Sequence, residues 1–158
     1  MSDAIKRQRA LKVFETLCAV LDGNEWKYER DDEKLIVRFG LYTEDLPVHY
    51  VFIVDEERQM LRLASPMAFT MEESKRTEGA IVANGATASL RDGCFDYDLY
   101  SGRIVFRLTA SFLDSEFGAD MIHYFIRCTN VVVDHYNDKF EAVNNGTMSV
   151  QDFLAAEQ

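Results

Sequence analysis

The sequence predicts an α+β domain. It is a two-layer sandwich in which a largely antiparallel sheet carries helices on one face, in the order α–ββββ–α–ββ–αα. Three observations predict it. Near both ends of the chain, apolar residues recur at the three-and-four spacing of amphipathic helices. In two stretches between those ends they alternate at period two, as strands do. Every link between strands, except the one that holds the middle helix, is a short polar turn, and short links join antiparallel neighbours.

The first helix runs from Ala4 to Leu21, with Ala10, Leu11, Phe14, Leu17, Cys18 and Leu21 on one stripe. Gly23 is placed for a left-handed exit. Trp26, Tyr28 and Arg30 then alternate with Lys27 and Glu29. Leu35, Val37 and Phe39 alternate with Ile36 and Arg38, and Asp31-Asp32-Glu33 turns the chain between them, which makes a hairpin. A third strand spans Val48 to Val54, followed by the turn Asp55-Glu56-Glu57. The fourth spans Gln59 to Ala64, with Met60, Arg62 and Ala64 on one side and Leu61 and Leu63 on the other. Pro47 and Pro66 belong at strand edges, and Pro66 is expected to end the run.

Thr70-Met71-Glu72-Glu73 matches a capping box and predicts a second helix running to about Ala86. Strands return at Cys94–Leu99 and Arg103–Thr109, joined by Tyr100-Ser101-Gly102, whose glycine supplies a positive φ. The longest helix runs from Glu116 to about Val143, with Met121, Ile122, Phe125, Cys128, Val132, Tyr136, Phe140 and Val143 as its stripe. The β-branched run Val131-Val132-Val133 costs it only tenths of a kcal/mol per residue. Phe125, Val132 and Tyr136 are expected to lie over Phe95, Ile104 and Phe106. Asn144-Asn145-Gly146 stops the helix, and Ser149 caps a short last one. With no repeat, linker or low-complexity segment, residues 1–158 are expected to form one domain.

The charge balance narrows the partners. Seventeen Lys and Arg face 27 Asp and Glu, a net charge of −10. Such a surface repels DNA, RNA and anionic membranes, so no nucleic-acid or membrane partner is expected. Half of the excess sits on residues 116–158, where Arg127 and Lys139 stand against seven carboxylates. The one basic cluster, Lys6, Arg7, Arg9 and Lys12, reads as the solvent face of the first helix. No stretch approaches the ~18 apolar residues of a membrane span. The charged N-terminus does not read as a secretory signal, and Cys18, Cys94 and Cys128 are odd in number and widely spaced. Both point to a cytoplasmic protein with reduced thiols.

No catalytic, cofactor-binding or metal site is predicted, and no cofactor. His123 and His135 lie 12 residues apart on one helix, roughly 120° around its axis, so they cannot share a metal. Asp120 with His123, and Asp134 with Asp138, lack a third ligand. His49 sits among strand residues. Asp92, Asp96 and Asp98 read as an outer sheet face, and Cys94 has no adjacent base to activate it. Glycine loops for phosphates and nucleophile-elbow motifs are absent.

From the second helix onward the chain resembles the YbjN-like family of proposed bacterial sensory-transduction regulators. The matching residues are Asn84, Gly93-x-Phe95-x-x-Asp98, Gly102-x-Ile104-x-Phe106-Arg107, Asp134-x-Tyr136 and Gly146-x-x-Ser149. The resemblance covers roughly residues 4–155. It implies a fold similar to that of type III secretion chaperones, which are small acidic homodimers that bind partner proteins. Four strands before the middle helix, where those chaperones usually have three, is a departure. The motifs are turn and packing signals and carry over no functional residue.

Two readings follow. The first is a non-enzymatic bacterial protein-binding or regulatory module. It would be a homodimer, because large apolar residues on both faces of the early strands call for a cover that a second copy can supply. The second is a small-molecule-binding or enzymatic domain whose site assembles from scattered residues such as His49, Cys94 and Asp96. An exposed apolar groove or sheet edge favours the first, and a closed pocket with converging polar groups the second.

Overall fold

The computed structural model describes residues 1–42 and 46–157. Among them six strands form one antiparallel sheet, with four helices and a short 3₁₀ turn. In chain order these are α1 (Asp3–Gly23), β1 (Glu29–Asp31), β2 (Ile36–Leu41), β3 (Val48–Asp55), β4 (Met60–Thr70), α2 (Arg76–Ser89), β5 (Cys94–Asp98), β6 (Arg103–Ser111), α3 (Ala119–Asn144) and α4 (Val150–Ala156). The spatial order is β1-β2-β3-β4-β6-β5, so the first four strands form a meander and the β5–β6 hairpin adds to it through β6. The α–ββββ–α–ββ–αα order and the two-layer architecture are as expected.

Each strand alternates. Val37, Phe39, Tyr50, Phe52, Leu61, Leu63, Ile104 and Phe106 point inward and are buried. There α1 contributes Phe14, Leu17 and Leu21, and α3 contributes Ile122, Phe125, Phe140 and Val143. Phe95 meets Tyr136 edge-on at 5.2 Å and Phe140 at 5.0 Å between ring centroids, while Phe153 of α4 stacks on Phe140 at 5.6 Å. Ser149 caps α4 as expected, its hydroxyl accepting from the Asp152 amide at 3.1 Å.

Gly102 is required where the sequence places it. Its φ is +72°, and a Cβ there would run into the Met71 carbonyl oxygen. The Met71 amide donates to the Gly102 carbonyl at 2.8 Å, which ties the hairpin turn to the end of β4.

Several expectations are corrected. Gly23 remains in the helix, and the left-handed residue is Glu25, two positions on. Strand bounds in the first hairpin shift, to Glu29–Asp31 and Ile36–Leu41. Pro66 does not end the fourth strand, which continues to Thr70 with Pro66 paired to Val105 of β6. The β3–β4 ladder extends only from Asp55–Met60 to Val51–Ala64, so Pro66 follows the last β3 pair on an edge where no N–H is demanded. Thr70 forms no capping box. It ends β4, a 3₁₀ turn at Glu73–Lys75 follows, and the Glu72 amide donates to Asn144 Oδ1 at 2.7 Å.

The α3 stripe also shifts. Thr129, Val133 and Asn137 are buried where Cys128 and Val132 were expected and are only half-buried. Two polar residues occupy the buried arc, and an apolar count skips them. Phe125 packs on Phe52 of β3, with centroids 6.2 Å apart, rather than over β5 and β6. Leu11 and Leu99, both expected in the core, are exposed.

Candidate protein-binding face

The face of the sheet away from the helices is open. Its register gives one cross-strand row of Arg38, Val51, Ala64 and Arg107, and a second row of Ile36, Ile53, Arg62 and Thr109. Large apolar groups stand on this second face as expected, yet Ile36, Val51, Ile53 and Met60 are half-buried rather than exposed. Val51 has Arg38 and Ile53 has Arg62 as a cross-strand partner, and the methylene stem of an arginine can cover apolar surface while its guanidinium stays in water. Two grooves mark this face. One of about 570 Å³, at its edge, is lined by Arg38, His49, Val51 and Pro66 with Lys27, Tyr28, Glu29 and the inward Phe39 and Tyr50, and one of about 540 Å³ by Ile53, Met60, Arg62, Arg107 and Thr109 with Asp55 and Arg58.

The charges divide into satisfied and free. Arg107 grips Asp96 with two bonds, 2.6 Å from Nε and 3.0 Å from its terminal nitrogen. The same bonds hold the Asp96 carboxyl below its ordinary range. Arg58 pairs with Asp55 at 3.1 Å. Among the described residues, Arg38 and Arg62 have no acceptor or carboxylate within bonding distance, and both are exposed. Glu29, the register partner of Arg38 on β1, lies outside ion-pair range.

The residues of the enzymatic alternative do not converge. His49 is on β3 and Cys94 on β5, three strand spacings apart in the sheet, or about 14 Å. Cys94 Sγ lies 3.6 Å from Asp96, but Arg107 occupies that carboxylate. Burial, then the Asp96 charge, pushes the Cys94 thiol up, so it stays protonated and unreactive. Burial does the same to Cys18 and Cys128, and all three cysteines are unbridged.

The acidic set is dispersed in the same way. Asp92 accepts from the Tyr124 hydroxyl at 2.7 Å, whereas Asp98 accepts from Ser101 Oγ at 2.7 Å and closes the hairpin turn. His135 neighbours Lys139 at 2.9 Å, remote in sequence from His123, which lies beside Thr16 and Asn24. Among the described residues no group of three His, Cys, Asp or Glu is arranged to hold a metal. Among the described residues no helix is long and apolar enough to cross a membrane.

The basic cluster of α1 is not a free solvent face, which corrects that expectation. Lys6 pairs with Glu57 at 2.7 Å and Arg7 with Glu56 at 2.9 Å. Arg9 donates to the Phe112 carbonyl at 2.8 Å, and Lys12 pairs with Glu116 at 2.8 Å. These contacts fasten α1 to the β3–β4 turn and to the segment entering α3. Sequence reading missed the role of Arg38, Arg62 and Arg107. Each occupies an outward position of its own strand, and only the register of four strands brings them onto one surface.

No family model and no curated protein matches the sequence. Solved structures do match in fold. YbjN from E. coli, a proposed transcription regulator, superposes with a TM-score of 0.59 at 14% identity, over 81% of this chain and 89% of that one. A chain of the ExsC–ExsE complex superposes with a TM-score of 0.58 at 13% identity, over 82% of this chain and 93% of that one. The fold of this chain is therefore the YbjN-like and secretion-chaperone-like fold that its sequence motifs resemble.

Proposed function

We propose that this chain is a non-enzymatic protein-binding module of the bacterial cytoplasm, regulatory or chaperone-like in kind. The observation that carries the reading is the uncovered sheet face, where the half-buried Ile36, Val51, Ile53 and Met60 stand between arginines. The similarity to a chain solved in complex with another protein supports it.

The reading includes a homodimer. The surface for a second copy is the tip of the β5–β6 hairpin, where Tyr100 is 90% and Leu99 53% exposed, since α2 covers part of the β5 edge through the Thr87 hydroxyl, which accepts from the Phe95 amide at 2.8 Å. Light scattering after size exclusion is expected to give about 36 kDa, twice the chain mass of 18.2 kDa. A monomer at high micromolar concentration would remove the dimer from the proposal. For partner binding, affinity capture from the native host with mass spectrometry compares the native chain with Val51→Asp. The charge placed in the apolar patch is expected to abolish specific capture while the thermal midpoint holds. Equal capture by both would refute the assignment of this face.

A further inference from the structure

The occupant of the open sheet face has a definable chemistry. Arginines of an acidic protein can pair with its own carboxylates, and on this sheet face Arg58 and Arg107 do, as Arg7 and Arg30 do elsewhere, while Arg9 is bonded to a backbone carbonyl. Among the described residues Arg38 and Arg62 make no hydrogen bond or ion pair, Arg62 acting on Asp96 only through its charge, although they stand among Ile36, Val51, Ile53 and Ala64, where a solvated cation is costly to cover. Their Cα positions differ by two strands across the sheet and by one row of two residues along it. That is a separation of roughly 12 Å, from a strand spacing of ~4.8 Å and a rise of ~3.4 Å per residue. The apolar patch fills the interval.

We propose that this face receives an acidic, partly apolar segment of a partner protein, with one carboxylate on Arg38, another on Arg62, and apolar side chains between them on Val51, Ile53 and Ala64. This deepens the protein-binding reading and rests on it. A second copy, which the sequence alone would place over this face, is the wrong occupant. In a face-to-face pair it would present Asp55 and Asp96, which Arg58 and Arg107 already hold, and would add two further unpaired arginines. A nucleic acid is disfavoured by those same carboxylates and by the net charge of −10. The segment must therefore bring its own carboxylates. Arg38 and Arg62 act as selectivity residues, taking them as charge-assisted hydrogen bonds once the apolar contacts exclude water.

The test is fluorescence anisotropy with three labelled probes: a peptide alternating Glu with Val and Ile, the same peptide with Gln for every Glu, and an oligothymidylate. Each is titrated with the native protein, with Arg38→Gln/Arg62→Gln, and with Val51→Asp. Both arginines are exposed and unpaired, so the double variant is expected to keep its fold, which circular dichroism checks. The acidic peptide is expected to bind the native protein, to bind the double variant about tenfold or more weakly, and to weaken as salt rises. The Gln peptide should bind the native protein as weakly as the acidic peptide binds the double variant. Failure of the acidic peptide to bind, equal binding of the two peptides, an unaffected double variant, or tighter binding of the oligothymidylate would each overturn the proposal. If Val51→Asp abolishes peptide binding while the double variant does not, the protein-binding face stands and the arginine assignment alone falls.

Discussion

Replacing Phe140 by Ala puts the docking of α3 onto the sheet to a quantitative test. Phe140 is fully buried and holds three rings at once: Phe95 of β5 at 5.0 Å edge-on, Tyr136 one helical turn back at 5.7 Å, and Phe153 of α4 at 5.6 Å. Truncating a buried phenylalanine costs about 3–5 kcal/mol through lost transfer energy and the cavity left behind. Three aromatic partners place this site at the upper end, because each favourable ring pair adds about 0.5–1.5 kcal/mol beyond its buried area. Phe125 is equally buried but meets one ring from another element, Phe52 at 6.2 Å. Phe125→Ala is therefore expected to cost about 1 kcal/mol less than Phe140→Ala. For a domain of this size each kcal/mol lowers the thermal midpoint by about 2–4 °C, so Phe140→Ala should lose roughly 8–20 °C. Urea unfolding followed by circular dichroism gives the free energies, with unchanged slope as the check that both variants unfold in one step. A loss below about 1.5 kcal/mol, or a larger loss at Phe125, would show that the aromatic cluster between β5, α3 and α4 does not hold the layers together.

Two further outcomes follow from local geometry. Gly102→Ala forces a Cβ onto the Met71 carbonyl at a φ of +72°, and is expected to cost at least about 1–2 kcal/mol, whereas Gly23→Ala, with open space around it and helical backbone, should be neutral or slightly stabilising; urea midpoints of the two variants decide it. Glu157, whose side chain is only 8% exposed, accepts from Lys139 Nζ at 2.7 Å and from the Tyr136 hydroxyl, fastening the last helix to α3. Burial alone would raise its carboxyl, but the Lys139 and Tyr136 bonds outweigh burial and hold it below the ordinary 4.5. A depressed carboxyl stabilises fully above the unfolded value and stops doing so as pH falls through the folded one, so Glu157→Gln should lose about 1–2 kcal/mol at pH 7 and much less near pH 3. A deficit that is constant with pH would show that the carboxylate charge is not what fastens the helix.

What was legible in the sequence was whatever depends on neighbours a few residues away. The hairpin at Tyr100-Ser101-Gly102, the Ser149 cap and the alternation of Val48–Val54 are local, and they stand as read. The misreadings share the opposite property. Pro66 looked like a strand end because sequence does not show that β3 has already stopped beside it. Thr70 looked like a helix cap because the competing use of its backbone, in the ladder to Arg103, lies across the sheet. An apolar stripe points to Val132 rather than Val133 because Thr129 and Asn137, polar yet buried, hide the true phase of α3. Arg38 and Arg62 belong to the same class, since no stretch of chain holds them together and only the sheet does.

The sheet order also carries a kinetic consequence. The pairs β1–β2, β2–β3, β3–β4 and β5–β6 each join strands consecutive in the chain, so each can form locally. The β4–β6 ladder alone joins residues 60–70 to residues 103–111, across the whole of α2 and β5. Closing that long loop costs chain entropy before any of its hydrogen bonds or core contacts compensates for it. Folding is thus expected to be limited by the meeting of two locally organised parts of the chain at this ladder, with α3 closing over β3 and β4 and against α1 in the same event. Destabilising substitutions in the ladder, such as at Leu63 or Leu108, which pair directly across it, should slow refolding, while those in the β1–β2 hairpin should chiefly speed unfolding.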